Sequence, residues 1–218
     1  MKIIEKLLHF GGQEFLLNNQ RSMFWPALQT LIFSDLHSGK SAYFRKNGIA
    51  MPSYLHTLDL QRLKNLILHY QPKNILIVGD LIHAGNNKEV TDLKQLIAEH
   101  DAINFQLVKG NHDRLPDSFI KSLGFKNIYQ HLEICGILVV HEPIENQKLP
   151  AISGHLHPGV QIPLLKNKSK RLPCFMVQKN QLILPAFSGF TGMAVQKTKG
   201  ATTFYGFYES VFFVVQED

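Results

Sequence analysis

Cysteine is scarce in this chain, with two in 218 residues. Cys135 and Cys174 lie far apart, without the spacing that builds a zinc or redox site. That excludes a disulfide scaffold and a thiolate metal cluster. It points to free thiols, buried beside Ile134 and Phe175, in a reducing cytoplasm. Long apolar runs are also missing. The longest, residues 211–215, falls far short of the ~20 residues a membrane helix needs, so no membrane association is expected. Charge interrupts the N-terminal Met-Lys-Ile-Ile-Glu-Lys-Leu-Leu, which does not read as a signal peptide. There is no internal repeat, low-complexity segment or linker, so one domain over 1–218 is expected. Negative charge is the minority: 17 Asp and Glu stand against 23 Lys and Arg, for a net +6. That balance favours an anionic partner without saying which.

What is present is a globular composition. At 44% hydrophobic and 18% charged, the chain is not disordered. Residues 3–10 and 13–18 form apolar-rich runs split by Gly11-Gly12, a hairpin pattern. Buried-strand runs follow at 31–34, 74–78 and 103–108. Between and after them lie helical periodicities at 53–70 (with Pro52 and Ser53 as the start), 88–100 and 116–123. Further on, 127–134, 136–140, 173–178, 181–187, 201–208 and 211–215 all read as strands. Alternating strands and helices come first and strands dominate later, which predicts parallel pairing followed by an antiparallel remainder. The last strand, 211–215, looks free to pair across a dimer. Residues 166–171 read as an exposed basic loop.

The histidines carry the chemistry; there are 11. Three of the early strands end on polar clusters: Asp35-x-His37, Gly79-Asp80 and Gly110-Asn111-His112-Asp113. Later come His141, after Ile-Leu-Val-Val, and Gly154-His155-Leu156-His157. Sites in open α/β sheets form beyond the carboxyl ends of strands, so these clusters belong on one rim. Asp, Asn and His supply oxygen and imidazole donors that suit borderline divalent metals. The donors are too many for one ion and enough for two if one carboxylate bridges. Taken singly, each cluster has a plainer reading as a turn, a cap or a strand-end histidine. Gly-Asn-His-Asp is different: four fixed letters arise in a chain of this length with odds of roughly 0.001 at typical residue frequencies.

The order Asp-x-His, Gly-Asp, Gly-Asn-His-Asp, His, Gly-His-x-His resembles the calcineurin-like metallophosphoesterases. Finer wording is similar to the ligase-associated DNA damage response endonucleases, encoded beside a DNA ligase and a helicase in bacteria. That wording is Ser-Asp-Leu-His-Ser-Gly-Lys (34–40), Phe44-Arg45, Gly79-Asp80-Leu81-Ile82-His83, His141-Glu142-Pro143, Arg171-Leu-Pro-Cys-Phe175 and Leu184-Pro-Ala-Phe-Ser-Gly-Phe-Thr-Gly192. The resemblance implies a four-layer αββα sandwich of the metallo-dependent phosphatase type. It implies two divalent ions, manganese first, with iron, zinc or magnesium as alternatives. Asp35, His37 and His157 would hold one ion, Asn111, His141 and His155 the other, and Asp80 would bridge them. A hydroxide bridging the ions would attack phosphorus in line. His112 would serve the leaving oxygen, and Asp113 would orient its imidazole.

Other residues keep two readings. Lys40 and Arg45, in a loop before the first long helix, either grip phosphate oxygens or are solvated. His83 either supports the site or packs. Lys166, Lys168, Lys170 and Arg171 either track a DNA backbone or face water. His56, His69, His100 and His131 read as ordinary surface or core histidines. The expected activity is phosphodiester hydrolysis on DNA in repair. Against it stand a hydrolase of small phosphoesters, which would carry a cap that residues 41–52 are too few to build, and a retired scaffold, which would have lost ligands.

Overall fold

The computed structural model describes all residues except 1, 53, 86, 146, 164–167, 196, 197, 199 and 218. Ser53 and Lys166 therefore lie outside the described residues.

Among the described residues fifteen strands form two sheets. The first sheet takes β1 (Glu5–Phe10), β2 (Gln13–Asn18), β3 (Ser22–Trp25), β4 (Thr30–Phe33), β5 (Asn74–Val78), β6 (Asn104–Val108) and β7 (Asn127–Tyr129), neighbours in chain order. The second takes β8 (Leu132–Ile134), β9 (Ile137–Val139), β10 (Ala151–Ser153), β11 (Gly159–Pro163), β12 (Ser169–Gln178), β13 (Gln181–Ile183), β14 (Thr202–Tyr208) and β15 (Val211–Glu217). Its order is β15-β14-β12-β13-β10-β9-β8, with β11 paired to β12. A short helix, α1 (Lys40–Lys46), and α2 (Tyr54–Tyr70) separate β4 from β5. Helix α3 (Lys88–Ala98) separates β5 from β6, and α4 (Asp117–Ser122) separates β6 from β7. β4 to β7 pair in parallel, as crossovers through helices require.

Side-chain alternation sorts the layers. Leu31, Phe33, Ile75, Ile77, Phe105 and Leu107 point to one face and pack with Leu63 and Leu66 of α2 and Leu93 and Leu96 of α3. The intervening Ile32, Leu76, Val78 and Val108 point the other way, onto Ile152, Phe175, Leu182 and Phe207 of the second sheet. Both faces of β4 and β5 are thus covered, which is why their sequences run apolar without a break. This is the α/β sandwich of the metallophosphatase type. Among the described residues the helices lie on the first sheet. The outer face of the second carries Val160 and Ile162 of β11 against Cys174, Met176 and Phe204.

Several expectations change. The run 127–134 is two strands in different sheets, broken at exposed Gln130 and His131 where the chain crosses over. Residues 169–171 belong to β12 rather than a loop. Lys40 and Arg45 sit on helix α1 instead of a loop. Cys174 is buried as expected, but Cys135 is exposed, in the left-handed turn between β8 and β9. The short β3, β10 and β11 carry too few residues to show a period. No helix among the described residues is long and apolar enough to cross a membrane.

Candidate metal centre

The turns after β4, β5, β6, β9 and β10 meet at one rim. Backbone hydrogen bonds fix them to one another. Asp35 N–H donates to the Gly79 carbonyl (3.1 Å), His37 N–H to Asp80 (2.8 Å) and Gly154 N–H to His141 (3.0 Å). Asp35, His37, Asp80, His155 and His157 all have φ between 46° and 68°, a region that non-glycine residues rarely occupy. Such backbone strain persists where surrounding bonds over-determine it, and it clusters at functional sites. Two motif glycines have a steric reason. A Cβ at Gly79 would lie 2.1 Å from His141 Nδ1, and one at Gly110 would lie 2.3 Å from Asp80 Oδ1.

Two sets of donors result: Asp35, His37 and His157, and Asp80, His141 and His155. Within each set the ligand atoms lie within 4.8 Å of one another. Asp80 stands between them. Its Oδ2 is 3.7 Å from His37 Nε2 and its Oδ1 is 3.3 Å from His141 Nε2. Asp35 Oδ1, His37 Nε2 and His157 Nε2 are buried and make no hydrogen bond, although His157 Nε2 is only 3.1 Å from Asp35 Oδ1. Buried polar atoms left without partners are costly, and a cation at their meeting point would satisfy all three. The donor set therefore fits a pair of divalent ions.

Protonation is arranged unevenly. Burial drives the His37 pKa down to about 3 against the pull of Asp35 and Asp80, so its imidazole is neutral and its lone pair free. Burial would also depress His141, but its hydrogen bond to Asp80 and that carboxylate's charge raise it to about 9. Burial would raise Asp80; the His141 bond and charge and the His112 N–H outweigh it and lower the pKa to about 2. His141 Nδ1 faces the Val78 carbonyl at 3.0 Å, which fixes the ring with Nε2 turned to Asp80.

The other expected residues divide. Asn111 lies on the turn after β6. The next residue, His112, donates its N–H to Asp80 Oδ1 (3.0 Å), and its ring lies 5.7 Å from that of His37. The Asp113 carboxylate accepts from Gly110 N (2.9 Å) and Ile82 N (3.1 Å), pinning the turn that carries His112. Burial raises its pKa. Lys40 is half-buried beside the site. Burial lowers its pKa while Asp80 and Asp35 oppose, and Nζ lies 5.7 Å over the Phe190 ring. Arg45 is paired with buried Glu89 at 2.9 Å. Lys170 covers the Tyr208 ring, and Arg171 donates to the Met193 carbonyl.

Sequence reasoning missed a clamp behind the site. Segment 186–188 backs Asp35: Phe187 N–H donates to the Ser34 carbonyl (2.8 Å) and Ser188 N–H to the Asp35 carbonyl (3.2 Å). Arg62 holds this segment through the Phe187 carbonyl and Asp59 Oδ1, both at 2.7 Å, and Arg21 holds the Ala186 carbonyl at 2.9 Å. Burial and the nearby Arg62 lower the Arg21 pKa to about 10, against the opposing charge of Asp59. The motif Leu184–Gly192 marks the segment in sequence, but nothing in it points to Arg21, Asp59 or Arg62.

The Calcineurin-like phosphoesterase family profile matches residues 28–181. The chain belongs to that family. It is a metal-dependent phosphoesterase, and its Asp and His groups suggest a dinuclear centre. Over the whole fold it is similar to the nuclease MPE of Pseudomonas putida, at 26% identity and a TM-score of 0.78, covering 93% of this chain and 96% of that one. A protein of unknown function from Aquifex aeolicus overlaps at 22% identity and a TM-score of 0.41, covering 59% of this chain and 78% of that one. Comparison with curated proteins finds no match.

Proposed function

We propose that this phosphoesterase is a DNA endonuclease of bacterial DNA repair, working in the cytoplasm as one catalytic domain over 1–218, with a functional link to a DNA ligase and a helicase. The observation that carries the nuclease reading is the likeness to a nuclease over nearly the full length of both chains. The basic balance of the chain suits a polyanion.

In this reading Asp35, His37 and His157 would hold one ion and Asn111, His141 and His155 the other, with Asp80 shared between them. Manganese fits the mixed oxygen and imidazole set. When bound, the two ions neutralise phosphate charge and lower the pKa of water enough to supply a nucleophile at neutral pH. The chain's residues do the rest. Asn111 adds a donor without adding charge, so the site keeps a positive balance for phosphate. Lys40 supplements that charge from α1. His112, fixed through its backbone N–H to Asp80, gives a proton to the leaving oxygen. Asp113 keeps its turn in place.

The test incubates the protein with Mn²⁺ and, in parallel, an aryl phosphodiester and labelled single-stranded, double-stranded and circular DNA. Asp80→Asn is the control. Cut circles with wild type and none with the variant support the proposal. Cleavage of the aryl diester alone would overturn the DNA assignment and turn attention to small phosphoesters.

A further inference from the structure

A cleft of about 340 Å³ opens beside the metal groups; of its lining only His112 has a role above. Tyr43 of α1, His83, His112 and Arg114 line it. The Tyr43 and His83 rings meet edge to face at 5.6 Å, and those of His83 and His112 lie 5.4 Å apart with a 30° tilt. Tyr43 is 47% exposed, a large ring turned to solvent at the mouth. Both histidine rings reach the site: their centroids lie 5.8 and 5.7 Å from His37.

The walls are tied together. Arg45 bonds Glu89 at 2.9 Å, and Ser38 Oγ donates to the Glu89 carbonyl at 3.2 Å. The Asn87 side chain accepts from Glu89 N and donates to the Ala84 carbonyl, one residue from His83. Helix α1 is thus strapped to the segment that carries His83. A cleft fixed before binding loses little freedom when it fills. Its chemistry is aromatic and cationic, and no carboxylate lines it among the described residues. Ring faces beside a guanidinium suit a flat, electron-rich ring; phosphate alone would need none of them.

We propose that this cleft is a nucleobase subsite, taking the base of the nucleotide that carries the leaving oxygen. The side follows from His112, which lines the cleft and is the residue assigned to that oxygen. The subsite rests on the nuclease reading above. The base stacks on the exposed Tyr43 ring, meets His83 at the edge and lies beside Arg114, and this seats the scissile phosphate at the metal groups.

The test compares a dinucleotide with its counterpart bearing an abasic sugar on the leaving side, with Mn²⁺ present. Wild type is expected to favour the base-bearing substrate in kcat/KM by about tenfold, the scale of one lost stacking contact. Tyr43→Ala should erase most of that ratio, chiefly through KM, and Tyr43→Phe should restore it. Arg114→Ala, on an exposed side chain of the same lining, should lower the ratio independently. Equal turnover of the two substrates by wild type, or a ratio unmoved in both alanine variants, overturns the subsite alone. Cleavage of an aryl diester with neither dinucleotide touched overturns the nucleic-acid reading and the subsite with it.

Discussion

Asp80 and His141 are a buried ion pair when no metal holds them, and that has a consequence in pH. The His141 pKa is raised to about 9 in the fold, against about 6.5 in an unfolded chain. A raised pKa means the folded state holds the proton more tightly. The pair's stabilisation is then full below about pH 6.5 and is lost as pH rises through about 9, an effect on the order of 3 kcal/mol. Metal-free protein should therefore melt at steadily lower temperature across that window. Asp80→Asn removes the carboxylate that raises His141, so its melting should be flat there; a parallel slope in the variant would contradict the pairing. The same substitution should lower turnover by more than the 10–100-fold typical of losing a residue that merely supports a ligand. Turnover and bound metal measured together check this, and full metal content with near-native rate would remove Asp80 from its place between the two groups.

At the scale of elements, the site was legible because its residues follow directly on apolar strands. Asp35, Asp80 and Asn111 stand just past β4, β5 and β6, and a parallel sheet puts all such ends on one rim. Elements of three to five residues without a period, β3, β10 and β11, were not legible. Nor was α1, a helix of seven residues that holds on to Glu89 through Arg45. The turn-pinning bonds of Asp113 were not legible, because sequence shows a neighbour of His112 but not the two backbone N–H groups facing its carboxylate. The clamp was hidden for the same reason: Arg21 and Arg62 meet backbone carbonyls, and Asp59 a backbone N–H, more than a hundred residues away. Removing Arg62 leaves buried Asp59 without its cation and frees the Phe187 carbonyl. Losing one partner of a buried pair costs about 3–5 kcal/mol, so Arg62→Ala should melt well below wild type. Because the freed segment backs Asp35, metal affinity by calorimetry should also weaken, while Arg62→Lys recovers part of both. Unchanged affinity in a folded Arg62→Ala would make the clamp purely structural. Gly79→Ala gives a sharper loss, since its Cβ has no space beside His141 and the φ of +80° strains any side chain. Metal binding should fall below detection, and a variant that binds normally would show that His141 can move aside.

Across the whole molecule, each donor set joins the two sheets. Asp35 and His37 follow a strand of the first sheet, and His157 follows β10 of the second. Asp80 belongs to the first, and His141 and His155 to the second. Ions held there act as cross-links between layers that otherwise meet through apolar contact. Their binding energy is therefore coupled to global unfolding rather than to fraying of one loop. At metal concentrations about a thousand times the dissociation constant, that coupling is worth ~4 kcal/mol. For a chain of this size each kcal/mol moves the melting temperature by about 2–4 °C. Stripping metal with a chelator at neutral pH should lower Tm by about 10 °C, in one cooperative transition, and adding Mn²⁺ back should restore it. A scaffold that had kept the fold and abandoned the chemistry has no reason to retain this linkage. If the chelated and metal-loaded proteins melt together, the unpartnered Asp35, His37 and His157 atoms are carried at a cost that metal does not relieve, and the dinuclear assignment fails with them.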